Sequence, residues 1–537
     1  MQAEWVFRGG RVYSGHLGWK PVEAVAVGGG RVLAIGSATE VQSCTGPATR
    51  EVDLGDRVVI PGLTDAHLHI LGYAMTLDTL AVAGMPSLET VKQAVGGLCG
   101  GRPAGSWVVG RGWDQDRWTE KREPNRFDLD AVAPDHPVYL QRNCNHVAVV
   151  NSAALRAAGI TAATPDPEGG SIDRDPVTGE PTGMLRENAQ VLIQQVLPAM
   201  PHERKRELLR VALKEALSYG ITEVHTDDVD RAAGSFDQCA DLFQSLIGLE
   251  GIPLRVRQMI PIHMVDEGAT RGIKTTAGDE WYRYAQVKMF ADGSLGGRTA
   301  ALREPYSDAP GLTGMYIQRT EEFQELVVHA HAVGNQVGCH CIGDGAAERF
   351  IEAVAEAQRR FPRADARHRM IHAQILAEDL MERMATLGIV GDIQPVFIKS
   401  DGYWFGERVG EERARTSYAW KSMMQRGVAL CGGSDCPIEP LNIWYGIYCA
   451  VNRQDLNGHP AGGWNPAEKL TVAEALDLYT TGAAFSTYEE GFKGTLAPGM
   501  AADLVVLEQD PFAVAPAALK EIQVSLTMVG GVVAYER

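Results

Sequence analysis

The chain has 537 residues, of which 45% are apolar and 22% charged, and carries a formal net charge of -18. The length exceeds one ordinary domain and suits a large barrel with a smaller companion, and the composition is that of a globular protein, not a disordered or fibrous one. An acidic chain without a block of lysine or arginine lacks the basic face that nucleic acid requires, and no window of about 18 uninterrupted apolar residues offers a membrane span.

The opening stretch MQAEWVFRGGRVYSG has no basic leader followed by an apolar core, so a cytoplasmic location is expected. The nine cysteines are odd in number and show no C-x-x-C spacing, which argues against a disulfide framework. Cys339 and Cys341 flank His340 and are expected to be buried in a strand.

The first sixty residues give short alternating runs separated by glycine, WVFRGGRVYSG, AVAVGGGRVLAIG and REVDLGDRVVIPG, which read as hairpin strands. KGTLAPGMAADLVVLEQDP and VSLTMVGGVVAYER repeat that texture at the other end. One composite β-sandwich built from residues 1–60 and 490–537 is the expectation. Between them, RVVIPGLTDAHLH, ITEVHTDD, PLRVRQMIPIH, AQVKMFADG, NQVGCHCIGD, RHRMIHAQI, GIVGDIQPVF and GVALCGGSDCP read as eight strands, with helix-like segments such as AAERFIEAVAEAQRRF between several of them. This alternation predicts an α/β fold, a (β/α)8 TIM barrel spanning residues 61–489. From about residue 75 to 185 the rhythm lengthens and tryptophans gather, as in SWVVGRGWDQDRW. That segment is expected to be an insertion after the first barrel strand, placed over the barrel mouth.

Active sites of such barrels lie at the carboxyl ends of the strands. RVVIPG reads as a strand running into its own carboxyl end, and His67 and His69, two residues apart, would project to one side of it as a shared cation requires. An isolated H-x-H is more often a solvated turn, so the remaining ligands decide the matter. His340 ends NQVGCH, His372 ends RHRMIH and Asp435 follows GVALCGGS. Lys288 lies in the apolar run AQVKMFADG, where a desolvated ammonium is costly. Carboxylated by carbon dioxide, its amine becomes an anionic carbamate able to bridge two metals. Asp65 reads as a strand-end carboxylate rather than a ligand. His225 fits a pocket or a satisfied core equally well. His329 and His331 fall in a helix-like run and are expected at the surface.

PGLTDAHLH, VKMFADGSLGGRTA, GCHCIGDGA, IHAQI, GSDCPIEP and the closing KGTLAPGMAADLVVLEQDP together resemble the amidohydrolase superfamily, specifically its amidohydrolase-3 or YtcJ-like branch, which includes N-substituted formamide deformylases. The resemblance covers nearly the whole chain. It implies a metal centre, usually zinc, with His67 and His69 on the first metal, a carboxylated Lys288 bridging, His340 and His372 on the second, and Asp435 both binding the first metal and shuttling the proton. Two zinc ions per chain are expected on that basis. Around RNCNHVAVVN the chain departs from the family pattern, with Cys144 and Asn145 before His146, which bears on substrate rather than metal chemistry.

The reading is a metal-dependent enzyme that cleaves a non-peptide C–N bond in a small amide, formamide or cyclic amide. Trp113, His146 and Arg298 are the expected substrate contacts, through stacking by the indole and carboxylate clamping by the guanidinium. A homodimer is expected. Two alternatives stay open: a mononuclear deaminase-type hydrolase on the same barrel, and a metal-bound regulatory protein without catalysis.

Overall fold

The computed structural model of the chain describes residues 2–15, 18–142, 147–167, 169–402 and 404–537. Eight strands form one parallel sheet in chain order: β1 (Leu63–Leu68), β2 (Ile221–Thr226), β3 (Arg255–Pro261), β4 (Tyr282–Phe290), β5 (Val337–Cys341), β6 (Arg369–His372), β7 (Val390–Ile393) and β8 (Leu430–Gly432). The backbone N–H of Asp435 donates to the His67 carbonyl at 2.7 Å and draws the last strand against the first. The barrel is nearly closed. Most of the strands are buried on both faces, as parallel strands covered by helices must be.

The parallel register decides what shares a level. Phe290 is paired with His340, Cys341 with His372, and Pro261 with Lys288, so the candidate ligands of β4, β5 and β6 gather toward the carboxyl ends of their strands. Below them the barrel interior is polar, where aliphatic layers usually fill such barrels. Arg369 donates to Gln286 Oε1 (3.0 Å), to Asp392 Oδ2 (2.6 Å) and to the Ala66 carbonyl (2.7 Å), all fully buried.

Strands from both ends of the chain lie in one sheet. Strands Trp5–Tyr13, Pro21–Gly28, Arg31–Gly36, Arg50–Asp53 and Val58–Pro61 join Leu504–Leu507, Val524–Val529 and Val532–Glu536. The ladder is one continuous eight-stranded sheet rather than two hydrogen-bonded separately. Phe7, Val25, Val59, Leu504 and Met528 meet in its shared core.

The expected first strand is in fact two. Val58–Pro61 pairs antiparallel with Leu504–Leu507 in the terminal sheet, and only Leu63–Leu68 belongs to the barrel. Gly62 is the crossing point: its N–H donates to the Asp503 carbonyl (2.9 Å), and a Cβ there would lie 2.5 Å from the Thr222 hydroxyl. Only a residue without a side chain passes that close.

Residues Ala74–Leu208 form a separate compact unit, longer at its carboxyl end than the tryptophan-rich segment suggests. Its six-stranded sheet contains Val108–Trp113, Val138–Arg142 and Pro181–Glu187. Trp113 and Trp118 sit in its core with ring centroids 5.8 Å apart.

Candidate metal centre

His67 lies near the carboxyl end of β1 and His69 just beyond it, as alternation on an extended strand dictates. His69 Nε2 is 3.3 Å and His67 Nε2 3.6 Å from Asp435 Oδ1. Ligand atoms of these three residues all fall within 4.8 Å of one another. The His340 and His372 rings are 4.6 Å apart at 79°, and the His372 ring is 5.7 Å from that of His67. Lys288 Nζ is 3.3 Å from His67 Nε2. The structure therefore brings all six expected side chains to one place, lining a single cavity of about 400 Å³.

Two of them occupy backbone that side-chain-bearing residues rarely adopt: His372 has φ 73° and Asp435 φ 57°. Such conformations persist where the surroundings hold them, and they cluster at functional sites.

Hydrogen bonds fix one nitrogen of three of the imidazoles. His69 Nδ1 donates to the Asp227 carbonyl (3.0 Å), His372 Nδ1 to Gln394 Oε1 (2.7 Å), and His340 Nε2 to the Gly293 carbonyl (2.9 Å). The opposite nitrogen of each is the one that faces the cavity's other donors and would bind a metal when deprotonated. His67 Nδ1 is buried with no hydrogen-bond partner, and Asp392 Oδ2 stands 4.0 Å away. Asp65 Oδ1 accepts the backbone N–H groups of His67 (3.3 Å) and Ser434 (2.9 Å), tying β1 to the loop after β8.

Electrostatics point the same way. Burial, reinforced by Lys288 and the neighbouring imidazoles, pushes His67 well below the usual histidine range, and burial with His372 and Lys288 does the same to His340. His372 is pushed down to about 4, chiefly by burial. Neutral imidazoles are ligands; protonated ones are not. His69 is the exception: burial pushes it down, but the hydrogen bond and charge of Asp435 outweigh this and raise it to about 9. Burial lowers Lys288 against the pull of Asp227, Asp435 and Asp392. Among the described residues its Nζ has no carboxylate within ion-pair distance; its contacts are His67 and the Phe290 ring, whose centroid is 4.7 Å away. Neutral imidazoles, a carboxylate and a buried amine of this kind fit a divalent metal centre.

Two other expected site residues, Arg298 and Trp113, have different surroundings. Arg298 is paired with Asp308 (2.8 and 3.2 Å) and is not part of the cavity wall. Trp113 is fully buried in its own unit, its indole N–H donating to the Leu140 carbonyl (2.8 Å). His146 lies outside the described residues. His225 is a core histidine, with Nε2 2.8 Å from Glu223 and Nδ1 3.3 Å from Arg369. His331 corrects the surface expectation, since it is buried with Nδ1 2.9 Å from His368 Nε2, while His329 is exposed beside Asp266.

Sequence reasoning missed Gln394, Asp292 and Arg231. Asp292 accepts three backbone N–H groups, from Ala301 (2.9 Å), Ile342 (3.1 Å) and Gly343 (2.8 Å), and fastens the loops after β4 and β5 to each other. A polar residue in or just past an apolar run marked Lys288, and the same signal marks Gln394 in GIVGDIQPVF and Asp292 in VKMFADG.

The sequence model of the amidohydrolase family matches residues 50–535. The chain belongs to the amidohydrolase family. Within it, the chain is 36% identical to the YtcJ protein of Bacillus subtilis (strain 168) over 539 residues, covering 100% of both. It is 31% identical to the N-substituted formamide deformylase of Arthrobacter pascens, covering 96% of this chain and 95% of that one. Among solved structures it superimposes on an uncharacterized metal-dependent hydrolase from Pyrococcus furiosus with a TM-score of 0.79 at 30% identity, covering 95% of this chain and 99% of the other.

Proposed function

We propose that the protein is a metal-dependent hydrolase that cleaves a non-peptide amide, R–CO–NH–R′ + H2O giving R–COOH and R′–NH2, with N-substituted formamides among the first candidates. The convergence of His67, His69, Lys288, His340, His372 and Asp435 on one cavity carries this reading. His67, His69 and Asp435 would hold one divalent cation and His340 and His372 a second, with Lys288, carboxylated on its neutral amine, between them. Zinc suits such a set of histidine and carboxylate ligands. When bound, the metals supply Lewis acidity toward the amide carbonyl and acidify water toward neutral pH.

The chain's own groups do the rest. Asp435, ionised because its hydrogen bond to His69 and nearby positive charges outweigh burial, takes the proton of the attacking water and delivers it to the departing amine nitrogen. Phe397, stacked on His372 at 16° with centroids 5.8 Å apart, together with Phe290 and Trp404, gives the cavity an apolar wall for the group carried on nitrogen.

The compactness of the His67, His69 and Asp435 trio on its own favours a second reading, one metal and a deaminase-type hydrolysis. Metal per chain, measured on wild type and Lys288→Ala alongside turnover of N-substituted formamides, separates the two. About two metals falling to one or fewer, with loss of turnover, supports the binuclear hydrolase. One metal unaffected by the substitution supports the mononuclear enzyme.

A further inference from the structure

The cavity wall carries one guanidinium, that of Arg231. It stands on the loop after β2, where Ala233 N–H donates to the Asp228 carbonyl (2.8 Å) and Gly234 N–H to the Val229 carbonyl (2.7 Å). Both bonds span five residues and so form a single π-helical turn, an uncommon geometry that recurs at functional sites. The turn is anchored firmly. The buried Asp228 carboxylate accepts N–H groups of Leu71 (3.0 Å) and Gly72 (3.1 Å), just after His69, and the carbonyl of Asp227 orients His69 itself. One loop thus fixes a candidate metal ligand and aims Arg231 into the same cavity.

Among the described residues Arg231 has no carboxylate partner; its guanidinium lies over the Phe290 ring, 4.9 Å from the centroid. The neighbouring Asp230 approaches His263 instead, at 3.9 Å. The cavity's other acid outside the metal set, Asp401, accepts from Tyr418 and Gln374. Arg298, with its arginine fork closed on Asp308, has no such freedom. The formal charge of -18 gives the chain no general attraction for anions, so a cation held open in this one cavity acts locally.

We infer that Arg231 is a specificity-determining residue that clamps a carboxylate on the substrate, and that the preferred amides are anionic, of the N-acyl amino acid type; this rests on the hydrolytic reading above. A planar fork suits a carboxylate and binds it in two parallel hydrogen bonds.

The test compares N-formylphenylalanine with N-(2-phenylethyl)formamide, which differ only in the carboxylate, on the metal-loaded protein. The expected result is a kcat/KM ratio of acid to neutral amide above 1 in wild type that falls about 10–100-fold in Arg231→Met, mainly through KM, and is partly kept in Arg231→Lys. A wild-type preference for the neutral amide, or a ratio unchanged by Arg231→Met, overturns the proposal. If neither amide is hydrolysed, the hydrolytic reading fails by itself, and the same ratio taken from equilibrium Kd values decides the clamp. Tighter binding of the acid that depends on Arg231 upholds it, and equal or absent binding of both overturns it.

Discussion

Toward the amino-terminal end of the barrel interior, Glu223 lies 3.0 Å from Arg257 and 2.7 Å from Lys493, and Glu489 lies 2.8 Å from Arg257 and 3.0 Å from Lys493. At the carboxyl end, one carboxylate, Asp435, faces Lys288 and the imidazoles of His67, His69, His340 and His372. Both groups of side chains are buried or half-buried, yet burial has opposite consequences. At the first end every charge has a partner, with Arg283 also 3.2 Å from Glu489: burial pushes Glu223 up, but Arg257 and Lys493 outweigh it and hold the carboxyl at about 2. At the second the bases outnumber the acid, and burial instead strips protons from His67, His340 and His372. A cluster in which each charge is paired fastens the chain together. A cluster of imidazoles around a single carboxylate has the donor set that suits a divalent cation. Between the two runs a fully buried relay, Glu223 to His225 to Arg369 to Asp392, which keeps the ends in register without making them alike.

The largest expected effect is at the mouth. Asp435→Asn should lower kcat by about 10²–10⁴-fold, as loss of a proton-transferring group does, while the denaturant-unfolding transition moves little. At the opposite end the signs reverse. Glu223→Ala leaves the Arg257 and Lys493 charges short of a partner and should lower stability by about 3–5 kcal/mol, with metal per folded chain unchanged. If either variant instead produced the other's pattern, the division between the two ends would be wrong. Acid sharpens it further. Glu223 is held at about 2 against an ordinary 4.5, so the stability it confers is complete above pH 4.5 and is lost as the pH falls toward 2. The gap in unfolding midpoint between wild type and Glu223→Gln should therefore narrow over that window and be constant above it.

The candidate metal set was legible because each of its side chains lies at or just past the carboxyl end of an apolar run, where barrels of this kind carry their sites. Loops carry no such rule. Arg298 and Arg231 both sit on loops after strands; nothing in GSLGGRTA announces that Asp308, ten residues on, closes the first, and nothing in DVDRAAG that a π-turn aims the second inward. His331 was legible in principle: Phe323, Val327 and His331 fall four apart on one buried helix face, so the period outweighs the polarity of the residue. Val58–Pro61 and Leu63–Leu68 read as one strand because a single residue separates them, and the division into two sheets falls at that residue, Gly62.

The smallest effect distinguishes His340 from His372, the two ligands proposed for a second metal. His372 Nδ1 is held by a side chain, Gln394 Oε1 at 2.7 Å, whereas His340 Nε2 is held by the Gly293 backbone carbonyl at 2.9 Å, which no side-chain substitution removes. Gln394→Leu deletes the acceptor that fixes the His372 tautomer and should weaken metal affinity by about 10–100-fold, the usual consequence of losing a hydrogen bond behind a ligand. Gln394→Glu keeps an acceptor in place and should retain affinity. Because Gln394 does not touch the His67, His69 and Asp435 trio in hydrogen-bonding terms, competition with a chelator should show one metal per chain easily lost and one held as in wild type. Equal weakening of both would mean that the pairs are coupled through Lys288 more tightly than their separate hydrogen bonds imply, and one step of metal loss would replace two.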